Sequence, residues 1–285
     1  MNQLTQDVLS ILRSPLSKAP LKRTTEQLQT DLNESFPIIE NVPILLSESI
    51  KKYIDLFDAK YTSHAEPWDY SRKAVEQVRF VYVTQVAKEL IGDGQRILDI
   101  GCSLGQLTHQ LNGIGREVWA MDISPIAAVK TRKFLNERGG GEGFKVFAAS
   151  ATELPFADNS FRVVLLSDGL HGWELSDELQ FDVLREVHRV LEPGGYAVLT
   201  DYLSPRNFLQ YQEKLKNGPL EFVRVEYLGD RVGFQIANNF KSLQNVWPFK
   251  SVLGSLKFNL ALCKLSKPFG PNFSKHMAVI LRKRS

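Results

Sequence analysis

The stretch of this chain with the clearest chemical potential is a glycine turn between an apolar run and a helix start. Residues 95–108 read QRILDIGCSLGQLT, with Asp99 inside the apolar run and Gly101 and Gly105 framing the turn. Glycine lets the backbone approach a ligand closely, and the first amides of a helix lack partners and attract polar groups. The stretch therefore predicts a strand and turn that bind a cofactor.

The residues around this turn narrow the choice of cofactor. A dinucleotide-binding turn uses three glycines, whereas Ser103 stands at the middle place and Asp99 lies inside the strand. This pattern argues against an NAD-dependent oxidoreductase. Asp122 ends the next apolar segment, where an acidic side chain can hold ribose hydroxyls.

Several spaced motifs agree in order over about residues 90–204. They are Asp99-x-Gly101-x-x-x-Gly105, Asp122, Leu154-Pro155-Phe156 and Pro193-Gly194-Gly195. Together they resemble the class I S-adenosylmethionine-dependent methyltransferases. The resemblance implies an α/β fold with a doubly wound, Rossmann-like sheet of seven strands, S-adenosylmethionine as cofactor, S-adenosylhomocysteine as product, and no metal. It implies cofactor contacts at Asp99, Gly101, Cys102, Ser103, Gly105, Asp122, Ile123, Ser150, Ala151 and Ser167.

Two positions depart from the family pattern. Ala149-Ser150-Ala151 stands where members of this subtype often have Gly-Asp-Ala, whose aspartate reaches the adenine amine. Because Ser150 is the weaker partner, we expect backbone groups of Ala151 to recognise adenine. Arg162 stands where an aspartate is usual and is interpreted as a surface change.

An aromatic stretch over residues 61–70, YTSHAEPWDY, resembles the Asp-Pro-Trp-x-Tyr segment that covers the cofactor in some small-molecule methyltransferases. Aromatic faces favour a sulfonium by ~0.5 to 2 kcal/mol. The alternative is that the rings only wedge a helix against the sheet. The candidate cofactor-covering residues are Tyr61, Trp68 and Tyr70.

The candidate catalytic residues follow the fourth core strand, within residues 167–174. Methyl transfer requires alignment and exclusion of water, and a base where the acceptor is a hydroxyl or an acidic carbon. His171 is the candidate base because imidazole titrates near neutral pH, and a structural histidine beside Trp173 is the alternative. Asp168 is expected to orient His171 or to contact the methionine amine of the cofactor. Further pocket candidates are Asp201 and Tyr202.

Alternating apolar and amphipathic segments must position these residues. Short apolar strands between helices indicate a parallel sheet covered on both faces, with ligands outside the carboxyl ends of the strands. Core strands are predicted at 96–100, 117–121, 144–147, 162–167 and 196–200, and helices at 71–91, 104–111, 125–136, 177–191 and 203–216. A hairpin of 220–227 with 232–236 and a final strand at 276–281 are predicted after the core.

The pattern divides the chain into four parts. Residues 1–46 are interpreted as a degenerate, metal-free ribbon-like cap and 47–94 as a helical segment with the aromatic cofactor-covering loop. Residues 95–204 form the predicted cofactor-binding core, and 205–285 form a basic lid region with the closing strand.

The cap prediction depends on missing metal ligands. Residues 1–46 resemble the end of a zinc ribbon whose cysteines are lost, and a ribbon without metal must pack on a larger domain to remain folded. The residues that fall near the ligand places are Ser14, Ser17, Asp31 and Glu34.

The charge of the chain is uneven although its net value is only +3. Residues 205–285 contain fourteen Lys or Arg and four acids, and no acid follows Asp230. This favours attraction to an anionic substrate, a membrane surface or a nucleic acid, with a solvated basic face as the alternative. Residues 249–264 combine an apolar face with lysines every seven residues, which predicts a lid helix or a packed helix with snorkelling lysines.

Composition limits the remaining choices. A hydrophobic content of 43% is ordinary for a globular protein, no apolar run could span a bilayer, and no signal peptide is recognised at the start. With only Cys102 and Cys263, neither a disulfide framework nor a structural zinc site is expected, and a cytoplasmic protein is predicted.

The resulting hypothesis is methyl transfer to a small molecule, anionic or lipid-like, with O-, N- and C-methylation all open and peripheral membrane contact allowed. An RNA methyltransferase is the nearest alternative, but the ribbon lacks interleaved basic and aromatic residues, so a nucleic acid partner is not expected. A non-catalytic cofactor-binding scaffold is the third hypothesis, because fold alone does not establish activity.

Overall fold

The central feature of the fold is one large mixed sheet with helices on both faces. The computed structural model describes residues 3–70, 73–140, 143–170, 176–239, 252 and 254–285. The strands are β1 (Lys22–Arg23), β2 (Gln27–Gln29), β3 (Ser35–Ile39), β4 (Val42–Leu45), β5 (Arg96–Ile100), β6 (Glu117–Asp122), β7 (Phe144–Ala149), β8 (Phe161–Ser167), β9 (Leu191–Tyr202), β10 (Glu221–Tyr227) and β11 (His276–Arg282).

The helices alternate with the core strands along the chain and cover both faces of the sheet, as is typical of α/β proteins. They are α1 (Gln6–Ile11), α2 (Lys51–Ser63), α3 (Ala74–Leu90), α4 (Gln106–Gln110), α5 (Pro125–Glu137), α6 (Asp177–Val190), α7 (Pro205–Lys216), α8 (Arg231–Asn239) and α9 (Leu256–Ser266). Short 3₁₀ segments lie at Glu48–Ile50 and Lys267–Phe273, the latter interrupted at Gly270. No helix in the described ranges is long and apolar enough to cross a membrane.

The strand order is β1-β2-β3-β4-β7-β6-β5-β8-β9-β11-β10. The five central strands β5 to β9 pair in parallel, and β11 inserts antiparallel between β9 and β10. This confirms the predicted α/β class and the predicted final strand.

The predicted strand number was wrong, because the described residues form a sheet of eleven strands rather than seven. β4 pairs in parallel with β7, through Ile44 opposite Ala148, and β3, β2 and β1 extend the sheet by antiparallel pairing. Val42 and Leu45 are fully buried, so the apolar end of the predicted cap is part of the main sheet. β7 therefore has neighbours on both sides, which removes an exposed sheet edge.

Two apolar layers hold the sheet between its helices. On one face, Trp119 contacts Phe147, Phe156 and Phe161 at ring-centroid distances of 5.2 to 5.6 Å. Helices α1, α6 and α7 contribute buried apolar side chains to the layer on this face. Helices α3, α4 and α5 cover the opposite face.

Residues before β1 are attached to the core by hydrogen bonds to its backbone. The Gln3 side chain donates to the Val146 carbonyl and accepts from the Val146 amide, at 2.9 and 2.7 Å. The Arg13 amide donates to the Pro155 carbonyl at 2.9 Å. These bonds satisfy buried polar groups that would otherwise destabilise the packed segment.

Hydrogen bonds join three of the four positions where zinc ligands would fall. The Ser14 hydroxyl accepts from the amides of Leu16 and Ser17, and the Ser17 hydroxyl donates to Glu34 at 2.6 Å. Asp31 instead pairs with Lys22 at 2.7 Å. The absence of a metal requirement stays a prediction.

The predicted hairpin of 220–227 with 232–236 was wrong in its second half. β10 forms as predicted but pairs with β11, with Phe222 opposite Leu281, and residues 231–239 form α8. The Phe234 amide donates to the Asp230 carbonyl at 3.1 Å, which is a helical bond. β11, which lies farther along the chain, pairs with β10 in the place that the prediction had assigned to residues 232–236.

Other element boundaries also differ from prediction. Glu192-Pro193-Gly194-Gly195 lies within the long strand β9 rather than before it. Helix α4 starts after Gly105, which is its N-cap, and α7 begins at Pro205. The predicted basic helix over 249–264 falls partly outside the described residues, and α9 begins at Leu256.

Replacing Gly105 by alanine is expected to lower the free energy of unfolding by about 3 kcal/mol. The residue has φ +82°, and an added Cβ would lie 2.9 Å from Thr131 Cγ2. Urea unfolding followed by circular dichroism measures the loss. Gly139→Ala is the matched control, since its φ is +75° with nothing within 4 Å of the added Cβ, and about 1 kcal/mol is expected there. Equal losses in the two variants would contradict the packing role of Gly105.

Candidate active site

A cleft lies at the edge of the sheet where β5, β6, β7 and β8 end. Parallel strands deliver their carboxyl ends to the same edge, and β5 and β6 end beside the glycine turn. The cleft contains about 970 Å³ of empty space, including its open mouth. Eleven of the predicted site residues line it: Tyr61, Trp68, Tyr70, Gly101, Ser103, Asp122, Ile123, Ser150, Ala151, Ser167 and Asp168.

The glycine turn presents bare backbone to this cleft. Gly101 has φ +76°, and a Cβ built on it would meet nothing within 4 Å. Asp99 lies behind the turn, 1% exposed, and accepts from the Thr108 hydroxyl of α4 at 2.6 Å. Burial raises the pKa of Asp99 to about 6. Asp99 thus braces the turn, while Gly101 leaves space for a ligand.

Cys102 and Gly105 do not line the main cleft. The Cys102 side chain is buried near Thr131, and its amide donates to the Met121 carbonyl at 2.9 Å. Cys102 and Asp99 border a second, small cavity beside the turn. Gly105 supports the turn through its packing against Thr131. Direct cofactor contacts by these three residues stay predictions.

Asp122 is fixed at the end of β6 by backbone amides. Its carboxylate accepts from the amides of Ser103 and Ser124 at 2.9 and 3.0 Å, and burial raises its pKa to about 6. Across the cleft, Ser150 shares a hydrogen bond with the Thr152 hydroxyl at 2.8 Å. The Ser150 hydroxyl is therefore already engaged locally, next to the backbone of Ala151.

Five aromatic side chains form one wall of the cleft. Tyr53, Phe57 and Tyr61 lie one turn apart on α2, and Trp68 and Tyr70 follow in the loop. Tyr61 belongs to the last turn of α2 rather than to the predicted loop. Its hydroxyl donates to Ser103 at 2.9 Å and accepts from the Trp68 indole at 3.2 Å.

Sequence reasoning missed Tyr53 and Phe57, although the signal was present. With Tyr61 they form an i, i+4, i+8 series, which places all three on one helix face. The hydrogen bonds of Tyr61 attach this face to the glycine turn. Aromatic coverage is therefore supplied by a helix as well as by a loop.

A buried group of charged side chains adjoins the cleft at Ser167 and Asp168, where β8 ends. The Arg79 guanidinium of α3 is 1% exposed and lies 3.0 Å from Asp168 Oδ2 and 3.3 Å from Glu76 Oε2. It also donates to the Ser167 hydroxyl. Sequence reasoning missed Arg79 because nothing in a single helix indicates which distant carboxylates it will meet.

His276 closes this group from the first position of β11. Its ring is fully buried, with Nδ1 2.5 Å from Asp230 Oδ2 and Nε2 3.5 Å from Asp168 Oδ2. Burial alone would lower the pKa of His276, but Asp168 and Asp230 raise it to about 10. The imidazole is therefore charged near neutral pH, and it bridges two carboxylates.

Asp168 is held ionised by the same contacts. Burial favours its neutral form, but Arg79 and then His276 lower its pKa to about 2. The Tyr202 amide also donates to Asp168 Oδ1 at 3.0 Å. A carboxylate with so low a pKa is a weak base near neutral pH and a good partner for a cation.

Three carboxylate and imidazole groups of this cluster have the spacing of metal ligands. One ligand atom from each of Glu76, Asp168 and His276 lies within 4.8 Å of the others. However, the Arg79 guanidinium already lies between the two carboxylates. The Arg79 side chain therefore already supplies positive charge between these carboxylates.

The remaining catalytic candidates are placed as follows. His171 lies outside the described residues, so its role stays a prediction. Asp201 is fully buried in β9 and accepts from the Tyr211 hydroxyl at 2.5 Å, away from the cleft. Tyr202 is 46% exposed, and its ring lies 5.3 Å from that of His276.

Comparison with known proteins identifies the family. Residues 98–199 match the family described as the methyltransferase domain. An uncharacterized methyltransferase of Synechocystis sp. is 32% identical over 154 residues, and the match covers 52% of this chain and 68% of that protein. The chain belongs to the class I S-adenosylmethionine-dependent methyltransferases.

Other relatives match this chain over a smaller share of their own length than the Synechocystis protein does. The ubiquinone/menaquinone biosynthesis C-methyltransferase UbiE of Azotobacter vinelandii is 34% identical over 119 residues, which is 41% of this chain and 46% of UbiE. The chain thus spans about half the length of such curated relatives. The N-methyltransferase NodS of Bradyrhizobium japonicum, solved with S-adenosylhomocysteine, shares the fold with a TM-score of 0.56 and 12% identity, covering 81% of this chain and 98% of NodS.

S-adenosylmethionine is the cofactor of this methyltransferase family, and the cleft fits it. The open space at Gly101 is a cradle that any side chain would fill. The Asp122 carboxylate lies at the next strand end, where ribose hydroxyls can be held. The aromatic wall offers π faces to a sulfonium.

Gly101→Ala is expected to weaken S-adenosylhomocysteine binding by at least about tenfold, because the added methyl group enters the cradle and φ is +76°. Isothermal titration measures the affinity. Gly94→Ala is the control, with φ +72° and open space around its Cβ outside the cleft. A comparable loss of affinity in the control would show that backbone strain, rather than filling of the cradle, causes the effect.

His276→Gln is expected to remove a pH-dependent part of stability. A folded-state pKa raised to about 10 contributes stability that is present below about 6.5 and is lost as the pH rises through about 10. The wild type should therefore lose about 3 kcal/mol more than the variant between pH 6.5 and 10. Urea unfolding across this range tests the difference, with His188→Gln as control. Parallel pH curves for wild type and His276→Gln would contradict a charged, bridging imidazole.

Proposed function

We propose that the chain transfers a methyl group from S-adenosylmethionine to a small molecule of anionic or lipid-like character. The observation that carries the proposal is the cleft, in which an aromatic wall faces a backbone cradle and an ionised carboxylate. When bound, S-adenosylmethionine supplies an electrophilic methyl group. The protein must hold the acceptor in line with it and keep water out.

The nucleoside and methionine ends of the cofactor have separate candidate partners. Asp122 is proposed to hold the ribose, and Ser150 and Ala151 to border the adenine. Asp168 is proposed to contact the methionine amine, since its pKa of about 2 keeps it negative near neutral pH. Arg79 and His276 balance its charge, which lowers the cost of keeping a carboxylate in the cleft wall.

The aromatic wall is proposed to cover the methyl group and to exclude water. Tyr61 links the wall to the glycine turn through Ser103, so that covering and cofactor binding are coupled. Burial raises the pKa of Tyr61, followed by the charge of Asp122, so the phenol stays neutral. The rings supply apolar contact surface to the acceptor as well.

His171 is the proposed base for an acceptor that must lose a proton, and Asp168 is too weak a base for that step.

Relatives support a lipid-like acceptor. One of them is a demethylmenaquinone methyltransferase of Chlorobaculum parvum, 35% identical over 132 residues, which is 45% of this chain and 50% of that protein.

The proposal also includes the division of the chain into four parts: the cap (1–46), the aromatic segment (47–94), the core (95–204) and the basic lid region (205–285).

The same proposal places the activity in the cytoplasm. Cys102 and Cys263 are both buried and unpaired, which suits a reducing compartment. A nucleic acid acceptor is disfavoured, since the cleft is lined largely by apolar and aromatic side chains that enclose a small ligand.

The test is single-turnover methyl transfer with a panel of anionic and lipid-like acceptors, including a demethylated quinol. His171→Ala is expected to lower the rate by about a hundredfold without changing S-adenosylhomocysteine affinity. Asp168→Asn should instead weaken S-adenosylhomocysteine binding by about tenfold. His188→Ala, on the outer helix α6, is the control.

Three outcomes would contradict parts of this proposal. A near-wild-type rate in His171→Ala removes that residue from the mechanism. Cofactor binding without transfer to any acceptor favours a scaffold protein, and transfer to RNA alone favours an RNA methyltransferase.

A further inference from the structure

An exposed apolar patch lies at the end of α9 and in the 3₁₀ segment that follows. Leu265, Phe269 and Phe273 are 71%, 65% and 40% exposed, and the two phenyl rings lie 5.0 Å apart. Single exposed apolar side chains are common on proteins, but two exposed phenyl rings in contact, with an exposed leucine four residues before the first, are typical of an interaction surface. We call these three residues the apolar patch.

Exposed lysines lie on the same stretch of chain as the apolar patch. Lys257, Lys264 and Lys267 are all exposed on the same stretch of chain. Among the described residues, Lys257 and Lys264 have no acidic partner, whereas Lys267 pairs with Glu226 at 2.6 Å. No acidic residue follows Asp230 anywhere in the sequence. The stretch of chain that carries the apolar patch is therefore positively charged.

The apolar patch lies on the same edge of the sheet as the cleft. β11 begins at His276, which pairs antiparallel with Tyr202 at the carboxyl end of β9. Phe273 precedes His276 by three residues, and the His276 ring reaches within 3.5 Å of Asp168 in the cleft wall. Helix α7, which starts at this edge and carries Leu209 at 71% exposure, contacts the 3₁₀ segment.

These observations favour one kind of partner. Apolar side chains with lysines on the same stretch of chain match the interface of an anionic bilayer, where the rings enter the headgroup region and the ammonium groups meet lipid phosphates. Aliphatic Leu265 adds apolar area that stacking on nucleic acid bases does not use. No described helix could span the bilayer, so contact would be peripheral.

We propose that the apolar patch and its lysines dock on an anionic lipid surface. Docking there turns the cleft edge of the sheet toward the bilayer, so that an acceptor dissolved in the membrane can enter from the lipid side. The lipid origin of the acceptor rests on the proposed methyl transfer, whereas the docking itself does not.

Vesicle sedimentation of the full chain tests the docking. Wild-type protein is expected to bind vesicles of phosphatidylcholine with phosphatidylglycerol at least about tenfold more tightly than phosphatidylcholine alone, near physiological ionic strength. Phe269→Ser with Phe273→Ser should weaken binding to the anionic vesicles by about tenfold or more. Leu32→Ser is the control, because Leu32 is 64% exposed near the opposite end of the sheet.

Charge reversal tests the lysines separately. Lys257→Glu and Lys264→Glu should each weaken binding to anionic vesicles by about fivefold or more, and the loss should shrink at high salt. Lys133→Glu, on the exposed face of α5, is the matched control and should bind like the wild type.

Several results would overturn the docking proposal. They are wild-type binding that does not depend on anionic lipid, phenylalanine variants that bind like Leu32→Ser, and lysine variants that bind like Lys133→Glu. Dimers that the phenylalanine variants disperse, with no vesicle binding by the wild type, would assign the patch to a second copy of the chain. Competition by RNA with no lipid binding would assign it to nucleic acid.

A parallel titration with S-adenosylhomocysteine separates this proposal from the proposed function. Intact cofactor binding and methyl transfer without vesicle binding overturn the docking alone. Vesicle binding without any cofactor binding overturns the proposed methyl transfer alone. None of the substituted residues lines the cleft, so the variants should keep wild-type cofactor affinity.

Discussion

The arrangement of the candidate active site depends on a buried cation, the guanidinium of Arg79. Removing a charged group from water costs several kcal/mol unless partners and hydrogen bonds compensate. Asp168, Glu76 and Ser167 provide that compensation at the end of β8 and along α3. The network fixes α3 against the carboxyl end of the sheet, and α3 carries the chain from the aromatic loop into β5. These contacts therefore fix the positions of the aromatic wall, the cradle and the charged group relative to one another.

A second constraint is the direction of the strands. Parallel strands bring Gly101, Asp122, Ser150 and Asp168 to one edge although they are far apart in sequence. The antiparallel strand β11 starts at that same edge, so its first residue, His276, reaches the site from a different part of the chain. The mixed sheet thus brings the ends of parallel strands and the start of an antiparallel strand to the same edge, where His276 meets Asp168.

The sequence predicted what local patterns encode. Short apolar runs and glycine turns identified all five parallel core strands, with bounds correct to within two residues except at the start of β9. Each run is bounded by turn-forming residues in the sequence itself. Most residues of the glycine turn and Asp122 were expected at strand ends, and the structure places Gly101, Ser103 and Asp122 in the cleft wall.

The features that the sequence did not predict depend on contacts between residues that are far apart in the chain. Arg79, Asp168 and His276 meet only after α3, β8 and β11 have packed, and no spacing in the sequence records that meeting. Residues 232–236 alternate in a way that suits a strand, but tertiary packing made them helical once β11 supplied the partner of β10. The cap strands joined the main sheet for a similar reason, since β7 offered an edge that local reasoning did not consider.

The position of His276 has a consequence for the order of folding. β11 lies between β9 and β10, so β10 has no sheet neighbour until residues 276–282 have been inserted. Before insertion, Asp168 and Asp230 lack the His276 charge that lies between them in the folded protein. Contacts of such long sequence separation form late, since the loop must close before they stabilise anything. A nascent chain would therefore complete its parallel core first, and the charged side of the pocket would be assembled as the closing step of folding.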